Sequence, residues 1–289
     1  MKKSVVTIGK FNGFHLGHQE LLKRVTQVAR EKDYSAICCK LLMKDSGLLT
    51  KDESLKLIEI TFPEVEGIRT YEFTPEFAAL TPEEFVSNIL IDEFNAGYIV
   101  VGEDFHFGRD RAGDTEVLKK LGEAKGFEVE VIKKLSMDGA NVSSSRIKGL
   151  LDVGQVEAAD RLLGYSYSLS GVVESGKKLG RTFGYPTINL KVEDTKYLPR
   201  FGVYAVKVYI SGDNRIYNGI TNIGTRPSIE DGNMVTIETF IYDFSDDIYG
   251  AEVIVQPLHF IRGEKRFDSI DDLTKQIEMD ILEARELTN

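Results

Sequence analysis

The chain has 289 residues, 42% of them hydrophobic, and a formal net charge of −10. That length accommodates one or two domains of about 100–200 residues, and the acidic balance argues against a general nucleic-acid binder, which presents a basic surface. No run reaches the ~18 uncharged apolar residues of a membrane span, and Met1-Lys2-Lys3-Ser4 leads into too short an apolar run for a secretion signal; a cytoplasmic protein with no membrane partner is expected.

In chain order, Lys3–Gly9 is predicted as a strand and Leu16–Lys32 as a helix, with Leu21, Leu22, Val25, Val28 and Ala29 on one face. Tyr34–Lys40 reads as the next strand. Adjacent Cys38 and Cys39 point to opposite faces there, which suits neither a disulfide nor a metal pair, so they are read as buried thiols. Residues 41–53 give no clear signal. Thr81-Pro82-Glu83-Glu84 opens a helix: Thr81 caps, Pro82 suits the first turn and Glu84 completes a capping box. Phe85, Ile89 and Phe94 then share a face. Gly97–Gly102 and Gly126–Val131 read as strands. Strands separated by helices imply a parallel sheet covered on both faces.

From about residue 165 the pattern changes. Strand-like runs at Tyr167–Val173, Val203–Ile210, Ile216–Ile220, Val235–Tyr242 and Ala251–Leu258 are split by turn signals at Ser175-Gly176, Ser211-Gly212-Asp213-Asn214 and Asp231-Gly232-Asn233. This predicts an antiparallel β domain closed as a barrel, since closure removes exposed edges. One helix ends the chain, capped by Ser269 with Asp272 at the third position and striped by Leu273, Ile277, Ile281 and Ala284. The boundary falls near residues 155–166, giving domains 1–160 and 161–289.

The first candidate site is Gly9-Lys10-Phe11-Asn12-Gly13-Phe14-His15-Leu16-Gly17-His18, between the first strand and the first helix. Glycines let the backbone turn and a ligand approach, and the new helix offers free N–H groups to phosphate. His15 and His18, three apart, can face one anion from the first turn, and the residues around them carry few burial signals. Gly9, Phe11 and Gly17 are placed at the phosphates with them. Val142-Ser143-Ser144-Ser145-Arg146-Ile147-Lys148 is a helix start in which Ser144 caps or donates to phosphate while Arg146 and Lys148 add charge. Gly102–Asp114 follows an apolar strand, the usual place for a site; Asp104, Phe105 and Arg109 are its candidate contacts to a planar ligand.

In the second domain, Gly176, Gly180, Arg181 and Gly184 lie in a glycine-rich basic loop suited to wrapping phosphates. Thr187 and Asn189, two apart on an extended segment, face one way and suit a hydrated Mg²⁺. Glu238 interrupts an apolar strand run, so it faces either solvent or a site, on the same side as Thr236 and Phe240.

The chain resembles the bacterial bifunctional riboflavin kinase/FMN adenylyltransferase (FAD synthetase) family through GKFNGFHLGH, VGEDFHFGRDRAG, VSSSRIKGLLDVG, GRTFGYPTINL, FGVYAVKV, GITNIGTRP, TIETFIYDF and HFIRGEKRF in that order. The first of these also resembles the His-x-Gly-His signature of nucleotidylyltransferases. The resemblance implies an α/β Rossmann-like nucleotidyltransferase domain followed by an antiparallel six-stranded riboflavin-kinase β-barrel with a C-terminal helix. It further implies Mg²⁺ and ATP, with riboflavin, FMN and FAD as substrates or products, and small-molecule partners in a monomer or weak homo-oligomer.

By that resemblance His15, His18 and Glu238 are catalytic, Thr187 and Asn189 hold the metal, and Arg262 and Phe267 lie with Asp104 near flavin. Three departures stand out: Asn12 replaces a usual Asp, Lys148 a usual Arg, and Cys38–Lys44 a Phe-x-Pro-His-Pro-like segment. The altered Cys38–Lys44 segment motivates one alternative, a riboflavin kinase whose first domain is weak, inactive or altered in substrate. A separate alternative is a non-enzymatic flavin- or nucleotide-binding regulator, against which Thr187, Asn189 and Glu238 argue.

Overall fold

The computed structural model describes residues 2–43, 46–175, 184–228 and 232–288, without the side chains of 226–228 and 232–234. Packing divides the chain into two compact units, Met1–Ser144 and Ser145–Asn289.

The first unit begins with β1 (Ser4–Gly9) and α1 (Leu16–Lys32). β2 (Ser35–Leu42), α2 (Lys51–Thr61) and β3 (Gly67–Glu72) follow. After the short helices α3 (Pro75–Ala78) and α4 (Pro82–Glu84) come β4 (Ala96–Gly102), α5 (Thr115–Lys125) and β5 (Glu128–Ile132). A small hairpin of β6 (Ser136–Met137) and β7 (Ala140–Asn141) closes the unit. The large sheet runs β3-β2-β1-β4-β5, all parallel. Strand alternation sends Val5 and Val100 to one face, under Val25, Val28 and Ala29 of α1. Val6, Ile8, Ile99 and Val101 go to the other, under Leu90, Leu118 and Phe127. Because β2 and β3 lie on one side of β1 and β4 and β5 on the other, the strand order reverses between β1 and β4. In such sheets ligands bind outside the carboxyl ends of the strands at this point.

The sequence-based reading assigned neither β3 nor the β6–β7 hairpin, and two further stretches differ from it. The 41–53 region leads into α2, capped by a Thr50/Glu53 box in which each residue's side chain accepts from the other's backbone N–H. The segment expected to continue α4 as an ordinary helix is instead a wide-turn π-helix over Phe85–Glu93, with Phe94 N–H reaching Ile89 O, five residues back, at 3.1 Å. The wider turn buries Phe85, Val86, Leu90 and Phe94, with Ile89 only partly buried beside them.

The second unit carries helices α6 (Ser144–Asp152, its first residue in the other unit) and α7 (Val156–Leu163). Six strands close a barrel in the order β10-β11-β12-β9-β8-β13: β8 (Leu169–Glu174), β9 (Thr187–Lys191), β10 (Gly202–Ile210), β11 (Ile216–Ser228), β12 (Gly232–Ile241) and β13 (Glu252–Gly263). The closing helix α8 (Ile270–Thr288) starts where Ser269 Oγ accepts from Asp272 N–H at 3.1 Å. Its Ile281 and Ala284 pack onto Val203, Ala205 and Ile220 of the barrel. The buried carboxylate of Asp280, 3% exposed, takes a two-pronged grip from Arg262 of β13 at 2.9 and 2.6 Å, tying helix to barrel.

Candidate active sites

The turn from β1 into α1 is built tightly. Phe11 (φ 47°) and Phe14 (φ 38°) hold left-handed backbone that non-glycine residues seldom adopt, and both rings are fully buried. Burial of the two aromatics anchors the loop in this conformation. His15 begins α1 in extended backbone, its carbonyl accepting His18 N–H at 2.8 Å and Gln19 N–H at 3.1 Å. Gln19 Nε2 donates to Phe14 O at 2.9 Å. The imidazoles of His15 and His18 stack 3.8 Å apart and nearly parallel, with the Phe11 ring 5.0 Å from His18.

The expectation that these histidines lie among residues poor in burial is corrected. His15 is 7% exposed, and the Nδ1 atoms of both rings are buried with no hydrogen-bond partner. The reason is the left-handed backbone at Phe11 and Phe14, which folds both aromatics under the turn. Burial pulls the His15 imidazole down to about 4 and His18 well below the ordinary range, with the neighbouring His15 and Lys40 adding to the effect on His18. Near neutral pH both rings are uncharged, and each has one N–H to donate.

Sequence reasoning passed over Lys40. It is 1% exposed and donates from Nζ to Lys10 O at 2.9 Å and Asn12 Oδ1 at 3.3 Å, directly beneath the turn. A lysine inside the apolar run of β2 was the available signal.

The other first-unit candidates are placed as follows. A methyl on Gly13 would sit 3.4 Å from Ser144 Oγ, so the start of α6 abuts the histidine turn. A methyl on Gly9 would press on the Phe11 ring at 3.1 Å and one on Gly17 on the His15 ring at 3.3 Å, so these glycines admit the packed rings. Asp104, just past β4, is exposed, pairs with Lys134 at 3.0 Å and is close enough for its charge to act on His15. Phe105 stacks on Phe107 and packs against the sheet core, while exposed Arg109 opens a one-turn helix whose first N–H donates to Leu80 O.

Further along α6, in the second unit, Arg146 is half-buried and Lys148 Nζ lies 4.4 Å over the Tyr197 ring. Gly176, Gly180 and Arg181 lie outside the described residues. Gly184 is described, in left-handed backbone (φ 82°).

The barrel holds a cavity of about 370 Å³, large enough for a small organic ligand. Thr187, Glu238 and Phe240 line it from the strands, and Phe267, Leu273 and Ile277 from the closing segment. Arg262 also lines it, while stacking over Phe267 and holding Asp280. Glu238 thus faces a site. Its ladder partner on β9 is Asn189 and on β11 Asn222. Directly opposed residues project to the same side, so Asn189, Glu238 and Asn222 form one row across three strands. A smaller cavity of about 70 Å³ adjoins Asp246 and Asp247, and Thr187 lines both.

Two sites carrying reactive polar side chains on two separate folds, one at a sheet's switch point and one in a closed barrel, define a two-domain transferase. The FAD synthetase family model matches residues 1–146 and the riboflavin kinase model residues 163–288. The chain is 33% identical to the bifunctional riboflavin kinase/FMN adenylyltransferase of Bacillus subtilis, over 98% of this chain and 92% of that protein. It is equally similar to that of Escherichia coli K12, with the same coverage. The chain belongs to the bifunctional riboflavin kinase/FMN adenylyltransferase family. Its fold is similar to a solved structure of a macrolide-efflux protein from Streptococcus pneumoniae, with TM-score 0.87 and 33% identity over 98% of this chain and 94% of that one. Among the described residues no helix is long and apolar enough to cross a membrane.

Proposed function

We propose that the barrel transfers the γ-phosphoryl group of ATP to the 5′-hydroxyl of riboflavin, giving FMN and ADP. The α/β unit then joins the AMP moiety of a second ATP to FMN, giving FAD and pyrophosphate. The observation that carries the reading is Thr187, which lines both the larger cavity that contains Glu238 and the smaller one beside it. The flavin occupies the larger, mostly apolar cavity, and the triphosphate enters from the Thr187 side. Glu238 takes the hydroxyl proton as oxygen attacks the γ-phosphorus, and ADP leaves.

The oxygen donors of Thr187 and Asn189 suit Mg²⁺, which binds through one or two protein oxygens plus phosphates. When bound, the ion neutralises charge on the transferring group. The Thr187–Asn189–Glu238 arrangement supports this assignment through the β9–β12 ladder.

In the α/β unit the FMN phosphate is its own nucleophile, so the protein must supply donors rather than a covalent group. The neutral imidazoles of His15 and His18 donate N–H bonds to the α-phosphate, assisted by Ser144 and the free N–H groups of α1. We assign residues 1–160 to adenylylation and 161–289 to the kinase, in a cytoplasmic monomer or weak homo-oligomer. The same reading places Asp104, Phe105 and Arg109 at the flavin of the first site and Arg262 and Phe267 at that of the second.

A second reading, a kinase whose α/β unit makes little FAD, is favoured by the Cys38–Lys44 segment that replaces the expected Phe-x-Pro-His-Pro-like stretch. One experiment separates them: riboflavin and MgATP are supplied, FMN and FAD are followed by chromatography, and the assay is repeated from FMN. FAD from both starting points is expected. FMN accumulating without FAD supports the second reading, and no product from either refutes both.

A further inference from the structure

Lys40 is the most completely buried charged side chain near the histidine turn, at 1% exposure. Its two acceptors, the carbonyl of Lys10 and the amide oxygen of Asn12, are both neutral. An aspartate at position 12 would pair with the ammonium and cancel it; Asn12 leaves the charge whole. No carboxylate among the described residues pairs with it. From α1 it is faced by His18, an uncharged imidazole, and within β2 by Cys38, whose thiol burial pushes up to about 12. From β1 and β3 its ladder neighbours are Gly9 and Thr70, neither titratable. A buried ammonium without an anion is uncompensated, and a low-dielectric surrounding carries its field outward to the nearest opening.

We propose that Lys40 is the built-in counter-charge for the nucleotide phosphates at the β1–α1 turn, a positioning residue that holds Asn12 and draws the triphosphate onto His15 and His18. The proposal rests on the adenylylation reading and adds to it a residue outside the histidine motif. It explains how a turn whose imidazoles are both uncharged still attracts a polyanion. Burial lowers the Lys40 ammonium to about 8; bound phosphate raises it again. Nucleotide affinity is therefore full below pH 8 and falls as the pH climbs above it.

The test uses the full chain with supplied FMN and MgATP, so that the kinase reaction is bypassed. For the wild type, KM for ATP is expected to rise on the order of tenfold between pH 7.5 and 9.5. Lys40→Arg, charged throughout, keeps the low KM and loses the pH dependence. Lys40→Met raises KM on the order of tenfold at pH 7.5, changes kcat less, and is also flat with pH. A wild-type KM that does not move over this range overturns the proposal, as does a Lys40→Met enzyme with the wild-type KM. Should Lys40→Met fail to fold, the wild-type and Lys40→Arg profiles decide.

If supplied FMN gives no FAD at all, the adenylylation reading fails by itself. The same pH series is then read on the His15 and His18 NMR signals during titration with a non-hydrolysable ATP analogue. Weakening above pH 8 in the wild type but not in Lys40→Arg supports the proposal; any other pattern overturns it.

Discussion

Acidification from pH 7 to 4.5 should expose the cost of burying His15. Unfolded, its imidazole takes up a proton as the pH falls through 6.5; folded, burial keeps it neutral down to about 4. A folded value below the unfolded one means the unfolded state binds the proton first, so stability is intact above 6.5 and is lost as the pH falls toward 4. The two values give a loss of roughly 2–3 kcal/mol at pH 4.5 and almost nothing at pH 7. His18 shifts in the same direction and adds to the loss. Carboxylates also titrate in this range, so the informative quantity is the difference between the wild type and His15→Gln, in which those contributions cancel. Amide hydrogen exchange of β1 and β4 peptides at both pH values measures it, because buried central strands open at free energies close to that of global unfolding. His15→Gln should lose roughly 2–3 kcal/mol less on acidification. Equal losses in the two proteins would refute the burial argument.

Glu238→Gln should slow FMN formation roughly 100- to 10,000-fold while conversion of supplied FMN to FAD continues; His18→Ala should do the reverse, and chromatography of the two products reads both. Loss of the same step in both variants would show that the two sites are wrongly assigned. Asp280→Ala leaves Arg262 without its buried carboxylate and should destabilise the second unit by roughly 3–5 kcal/mol, visible as a lower melting transition and a higher KM for riboflavin. Gly202→Ala should be poorly tolerated, since the new methyl would lie 2.2 Å from the Arg262 carbonyl at a φ of 150°. Circular dichroism melting is expected to show a lower transition temperature, and an unchanged transition would contradict the close approach.

Much of the scaffold was legible because it follows from local chemistry. α1 runs from Leu16 to Lys32 as its apolar stripe predicts, and the Thr81 and Ser269 caps form as their spacing requires. The Thr50-x-x-Glu53 box was equally readable and was passed over, hidden in a stretch without clear periodicity. The π-helix at Phe85–Glu93 was not readable, because a window tuned to 3.6 residues per turn picks Ile89 where the wider turn buries Leu90. Glu238 shows the limit of strand alternation. Alternation put it beside Phe240, but only closure of the barrel against α8 decided that this side is a cavity rather than solvent. The histidine pair was visible as a motif, yet its burial depends on two phenylalanines in left-handed backbone, which no composition rule predicts. Lys40 went unnoticed because its importance lies in which atoms surround it, not in its neighbours along the chain.

The chain's two cysteines both sit in β2, fully buried and unlinked, so the barrel unit has none. Alkylating reagents attack the thiolate, and the shielded Cys38 and Cys39 present none while the sheet is closed. Incubation with iodoacetamide therefore marks a molecule only after its α/β unit has opened. The native protein carries a clock for the unfolding of one unit, with no engineered label and no signal from the other.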